Sequence, residues 1–437
     1  MQVLKKISVI FACLILFACS SSRSIKDEGG ADSYTTDIAE IGISNSRSFR
    51  IGMLLPLSGP DSKYGLGMKN ASMLALSDIN NPNLVIQYYD TASTPAGARV
   101  AIKNAINQRA QLILGPLKSA EVSAISDETI YQGVPVIAFS TSPEILQPTI
   151  YTLGLLIDEQ VDRIMSYAAA NGRRQFALLL PDNNTGISVA RAAVKSAAKN
   201  HVLITLIGFY PQGTSDFSDL VKRITESKTP FDAVLIPEGG ITLTSASAML
   251  AYYDITYPDV QILGTSMWET GISLKETSIQ QSLYPALTKS NGSAFAAKYY
   301  SVFGEKPSSL YTLAYDAVIL ADHLSRSSFG PLNERITSSA GFQGLNGRVR
   351  FFENGTNQHS LDIITIKSQT PTMVDSGTKY FETINNPLEN IDADTIYNAP
   401  HIIGKDSSLA QVLIYGQAID FIPQNTSSSV LSVSYEQ

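Results

Sequence analysis

The chain has 437 residues, 44 % hydrophobic and 16 % charged, with a formal net charge of -7. That length exceeds one ordinary core and implies at least two domains. The acidic balance, with no basic stripe, argues against nucleic acid as a partner. Both cysteines, Cys13 and Cys19, lie in the first twenty residues. The body therefore has no thiol, disulfide or cysteine-based metal site.

Residues 1–18 read as a signal peptide. Lys5 and Lys6 form a positive start, and Ile7–Ala18 is an apolar stretch too short to span a bilayer well. It ends Leu16-Phe17-Ala18-Cys19, which resembles a bacterial lipobox. Cys19 is then the expected lipidation site and membrane anchor. Ser20 matches the pattern of lipoproteins sorted to the outer membrane. Residues 19–48 are rich in Ser, Asp, Gly and Thr and read as a flexible tether reaching roughly 30 Å.

From Phe49 the pattern changes. Ile51–Pro60 is an apolar run closed by Pro and Gly ahead of an amphipathic segment, which reads as strand, tight loop and helix start. Met68, Ala71, Ala75 and Ile79 share one helix face. The predicted strands that follow are 84–89, 112–114 and 134–138, with a short one from Tyr151. Helices are expected at 96–107 and from Ser119, which can cap its helix. A second series repeats the alternation: helices at 158–171, 186–200, 217–227 and 242–253, with strands at 176–180, 203–209, 233–236 and 261–263. Two helices, 294–303 and 310–325, come next. Val349–Phe352 and Leu361–Lys367 flank Gly355 and predict a hairpin.

This is an α/β chain with two doubly wound lobes and an interlobe cleft. The expected partition is 49–155 plus 270–345 for the first lobe, 156–269 plus 346–370 for the second, and 371–437 as a C-terminal extension. Strand-end loops rich in Ser, Thr, Gly and Pro should line the cleft. Catalysis finds little support. The four histidines, at 201, 323, 359 and 401, have no close partner in sequence, and Gly-x-Ser-x-Gly, His-Glu-x-x-His and phosphate-loop motifs are missing. The chain is expected to be a binding protein without cofactor or metal.

Ile51–Gly65, Tyr89-Asp90-Thr91, Leu114-Gly115-Pro116, Val134-Pro135-Val136-Ile137 and Ala314-Tyr315-Asp316-Ala317, in that order, resemble the type 1 periplasmic binding proteins for leucine, isoleucine and valine. Phe209-Tyr210, Asp216-Phe217-Ser218 and Gly344–Phe351 with Asn354-Gly355 extend the resemblance over about residues 49–370. It implies that Ser119, Ser140, Thr141 and Ser142 hold a ligand carboxylate. It also implies that Glu238 meets an ammonium and that Tyr64 and Trp268 form aromatic walls. Ser58, on the rim after the first strand, joins that set. Within the superfamily the chain is similar to penicillin-binding-protein activator lipoproteins, through the lipobox, Tyr89-Asp90-Thr91-Ala92 and Gly264–Trp268. That likeness implies an outer-membrane lipoprotein activating a bifunctional peptidoglycan synthase. The alternative is a receptor delivering amino acids or peptides, muropeptides included, to an ABC permease.

Overall fold

The computed structural model describes residues 48–142, 145–269, 276–288, 292–326, 330–383, 401–403, 411–414, 417–423 and 431–433. The signal peptide, Cys19 and the tether lie outside the described residues. Among those described, no helix is long and apolar enough to cross a membrane.

The first sheet is parallel. It consists of β1 (Phe49–Leu55), β2 (Leu84–Asp90), β3 (Leu112–Leu114), β4 (Val136–Ala138) and β5 (Ile150–Thr152), in the order β2-β1-β3-β4-β5. Its inner strands are buried on both faces, which is why they read as continuous apolar runs. Crossover helices α1 (Ser62–Ile79), α2 (Pro95–Asn107) and α3 (Ser119–Gln132) connect them. Local chemistry sets the helix ends. Thr94 accepts from the Gly97 N–H with Pro95 in the first turn of α2, and α1 and α3 stop on left-handed Asn80 and Gly133. Lys118, not Ser119, occupies the N-cap of α3, and no side chain caps it.

The second lobe begins with α4 (Ile157–Ala170) and continues through β6 (Gln175–Pro181), α5 (Asn184–Asn200), β7 (Leu203–Tyr210), α6 (Ser218–Glu226), β8 (Ala233–Leu235), α7 (Gly240–Tyr252), β9 (Gln261–Leu263) and β10 (Leu283–Leu287). The strands align as β10-β9-β8-β6-β7. In each lobe the sheet order reverses beside its first strand, and such switch points place ligand crevices at the carboxyl ends of strands.

One close approach recurs in both lobes. A Cβ on Gly65 would lie 2.0 Å from the Pro56 carbonyl oxygen, and one on Gly186 would lie 1.9 Å from that of Pro181. Each glycine stands in the first turn of the helix after the lobe's first strand. Only a residue without a side chain lets that helix start against the strand end.

The chain changes lobes differently from the expected partition. β10 lies in the second sheet although residues 270–345 read as first lobe. Pro285 inside this strand weakens its sequence signal. Helices α8 (Gly292–Phe303), α9 (Ser309–Arg326) and α10 (Leu332–Ile336) return to the first lobe, where Phe295, Tyr299, Tyr311 and Ala314 pack with Met53 and Met68. The predicted hairpin is also displaced. β11 (Phe342–Gly344), β12 (Gly347–Phe351) and β13 (Asn357–His359) form a small antiparallel sheet, and Gly355 turns β12 into β13. Val349 and Phe351 of this sheet pack in the first-lobe core. β14 (Leu361–Lys367) belongs instead to the second sheet, antiparallel to β10, with β15 (Thr370–Asp375) beyond it. β13 is polar in sequence, so an apolar scan passes over it. It is nevertheless buried, because Asn357 Nδ2 donates to the carbonyl oxygens of Thr152 and Gly154 at 2.6 and 2.9 Å.

The extension contributes α11 (Gly377–Thr383), and β16 (His401–Ile403) pairs in parallel with β7 at the sheet edge.

Gly186→Ala should drive α5 away from β6. We expect a loss of about 1–3 kcal/mol, the usual cost of overpacking, read as a lower urea midpoint at unchanged m-value.

Candidate functional site

A cavity of about 520 Å³ opens between the lobes. Thr141 and Ser142 line it from the loop after β4, and Leu155 and Ile157 from the first crossover. The second lobe supplies Gln160 of α4, Asn184, Thr185 and Ser188 of α5, and Ser266 and Met267 after β9. The α5 start is built by Asn183, whose side chain accepts from the N–H groups of Thr185 and Gly186. The lining thus combines hydroxyl and amide groups with aliphatic surface.

Gln160 fixes the polarity of one wall. It is 5 % exposed. The Ser266 N–H donates to its Oε1 at 2.9 Å, and its Nε2 donates to the Leu156 carbonyl at 3.2 Å. A backbone N–H can only donate and a carbonyl can only accept, so the amide has one orientation. The Ser266 hydroxyl lies 2.8 Å from the same Oε1, which only accepts. Its proton is therefore committed to Gln160, and Ser266 offers the cavity lone pairs alone.

Of the residues expected from sequence, Thr141 and Ser142 line the cavity. Ser140, next to them, is buried, and its hydroxyl accepts from the Ser142 N–H at 3.2 Å, shaping the loop. Ser58 and Tyr64 stand on the exposed rim of the first lobe, outside the cavity lining, and Tyr64 is 44 % exposed. Ser119 is exposed at the start of α3, also outside the lining. Glu238 accepts from the Tyr210 hydroxyl at 2.9 Å, so it is engaged within its own lobe and does not line the cavity. Burial first, then the Glu238 charge, pushes the Tyr210 hydroxyl far above its ordinary pKa. Trp268 is no cleft wall. It is 0 % exposed, its indole N–H donates to the Ile236 carbonyl at 3.0 Å, and it packs against Tyr284 in the second-lobe core.

Sequence reading missed Gln160, Thr185 and Ser188, which sit on helices rather than in strand-end loops. The Asn183-Asn184 and Ser266-Met267 loops were visible as strand ends, but without a signal that they converge.

Asp90 organises the first-lobe rim. Its Oδ1 accepts from the N–H groups of Leu57, Ser58 and Ala92 at 2.9, 3.1 and 2.7 Å, and its Oδ2 from the Ser58 hydroxyl at 2.6 Å. Desolvation raises its pKa, but the Ser58 hydroxyl and the three N–H donors outweigh it and hold the carboxyl below its ordinary value. Among the described residues no cluster of His, Cys, Asp and Glu could hold a metal.

Two open-ended sheets, lobes joined by crossovers and a polar-aliphatic cavity between them define a binding protein of the two-lobed α/β class. The chain belongs to the periplasmic binding protein family, which matches residues 48–371. It is 26 % identical over 285 residues to the Leu/Ile/Val-binding protein BraC3 of Rhizobium johnstonii, covering 61 % of this chain and 76 % of that one. An uncharacterized protein of Rickettsia prowazekii is 22 % identical over 217 residues, covering 50 % and 55 %. The chain thus spans about half the length of this second relative. A branched-chain amino acid ABC transporter periplasmic ligand-binding protein from Burkholderia xenovorans shares the fold with a TM-score of 0.60 at 15 % identity, covering 75 % of this chain and 94 % of that structure.

Ser58→Ala should move the Asp90 titration upward in a carboxyl-detected NMR experiment. Because the folded pKa is depressed, the stability Asp90 contributes is present above its unfolded value and is lost as pH falls through the folded one. The variant should show less of this acid-side loss.

Proposed function

We propose that the chain is a solute-binding protein that closes its lobes on a small amino-acid-class solute and presents it to an ABC permease. The interlobe cavity carries this reading. Leu155, Ile157 and Met267 suit an aliphatic side chain, and the hydroxyl and amide groups around them suit a polar head. Ser266, with its proton held by Gln160, accepts from an ammonium or amide donor of the solute. Two of the three named proteins, the Leu/Ile/Val-binding protein and the branched-chain amino acid ABC transporter ligand-binding protein, support the same class. In this reading the chain is a receptor, not an enzyme.

The synthase-activator reading draws on a different observation, Cys19 followed by Ser20. An outer-membrane anchor facing the periplasm favours docking on a peptidoglycan synthase. An inner-membrane anchor favours partnership with a permease. Acyl labelling of Cys19 with membrane fractionation separates the two, and association of the full chain with a bifunctional synthase would carry the activator reading.

The solute reading is tested by thermal shift with L-leucine, L-isoleucine, short peptides and muropeptides. A solute at one hundred times its Kd should stabilise the protein by about 2.7 kcal/mol. No shift with any of them would overturn the reading. Ser266→Ala should weaken binding of the best solute about tenfold, since it leaves a buried donor unpaired at a cost of about 1–3 kcal/mol.

A further inference from the structure

The family match ends at residue 371, yet the chain continues directly onto the place where the lobes join. Three crossovers connect the lobes: around Leu153–Leu156, between Leu287 and Gly292, and at Ser360. Residues Asp375–Phe381 lie against the third of these and reach α4 on one side and β12 on the other. Asp375 Oδ2 pairs with Arg163 Nη2 of α4 at 2.6 Å, while Arg163 Nε donates to the Leu361 carbonyl at 2.8 Å. The Gly377 N–H donates to Asp362 Oδ1 on β14 at 2.7 Å, and the hydroxyl of Thr288, next to the second crossover, donates to the same oxygen at 2.8 Å. At the third, Gly377 lies so close that a Cβ there would come within 2.4 Å of the Leu361 backbone. Across the joint, Phe381 is 4 % exposed beneath the guanidinium groups of Arg350 and Arg348 on β12, at 4.8 and 5.9 Å. β12 packs with the first lobe, whereas α4 and β14 belong to the second.

We infer that Asp375–Phe381 is a brace across the hinge, which sets how far the lobes part and so regulates access to the cleft. This rests on the reading of the cleft as one that opens and closes on a solute. A segment bonded only to one lobe would ride with it. This one holds α4 and β14 at one end and β12 at the other, so hinge bending must shear its contacts. Loss of Phe381 releases the first-lobe end, whereas loss of the Asp375 charge only loosens the second-lobe end, which the β14–β15 pairing and the Gly377 N–H still hold.

The test uses the full chain in detergent, with spin labels on a keto amino acid placed at Lys63 and Ile241. These positions are exposed at the starts of α1 and α7, on opposite lobes. Double electron–electron resonance without added solute should give a narrow distance distribution for the wild type. Phe381→Ala should broaden it toward longer distances, and Asp375→Asn should do so to a smaller extent. Unchanged distributions in folded variants would overturn the brace, even if their melting temperatures fall. Should Phe381→Ala fail to fold, Phe381→Leu, which keeps apolar bulk but removes the ring beneath the Arg348 and Arg350 guanidinium groups, decides alone. Adding L-leucine to the wild type separates the two ideas. Broadening in the variants with no response to leucine would keep the brace and remove leucine as the solute.

Discussion

The placement of the lobes depends on a small group of buried polar side chains at the crossovers. Asn357 holds the backbone of the first crossover through two amide hydrogen bonds. Glu159, one turn into α4, accepts from the Leu156 and His359 N–H groups and meets His359 Nδ1 at 2.9 Å, drawing the first and third crossovers together. Buried groups of this kind are costly unless paired, so they tolerate few alternative arrangements. The cavity takes its shape from them, because Leu155, Ile157 and Gln160 are carried by the segment they hold.

Much of the fold was legible in sequence because it is written in apolar patterning. Ile51–Leu55, Ile113 and Leu178–Leu180 are buried on both faces, and their uninterrupted runs mark a parallel sheet covered by helices. The misplaced pieces are those where polarity and burial part company. Asn357-Gln358-His359 is buried yet polar, and β10 carries a proline, so neither reads as a strand at a lobe boundary. Burial likewise decides Trp268. A lone indole beside Gly264 and Ser266 resembles a cleft wall by position, but its N–H finds the Ile236 carbonyl inside the second core.

The site was legible only where loops supply it. Thr141 and Ser142 follow a strand end and were expected on that ground. Gln160 sits three residues into α4, where one polar residue among charged and apolar neighbours gives no warning. Its role depends on a carbonyl at Leu156 and a serine more than a hundred residues away. Glu238 shows the converse: its position suits an ammonium, but the nearby Tyr210 hydroxyl takes up the carboxylate.

The paired close approaches at Pro56–Gly65 and Pro181–Gly186 reach further than helix placement. The strand order β2-β1-β3-β4-β5 of the first lobe recurs as β7-β6-β8-β9-β10 in the second, so the halves are copies of one topology facing each other. At equivalent points just past each first strand, the next N–H group finds its acceptor on the neighbouring second strand. In one half that acceptor is the Asp90 carboxylate, and in the other it is the Tyr210 backbone carbonyl, which receives the Asp182 N–H at 2.7 Å. A molecule lying between such halves meets the same scaffold twice, but the acidic side chain is carried by the second strand, at Asp90, on one rim and by Asp182, just past the first strand, on the other. Head and tail of a guest are told apart where the copies have diverged, and the shared scaffold leaves those positions free to change one half at a time.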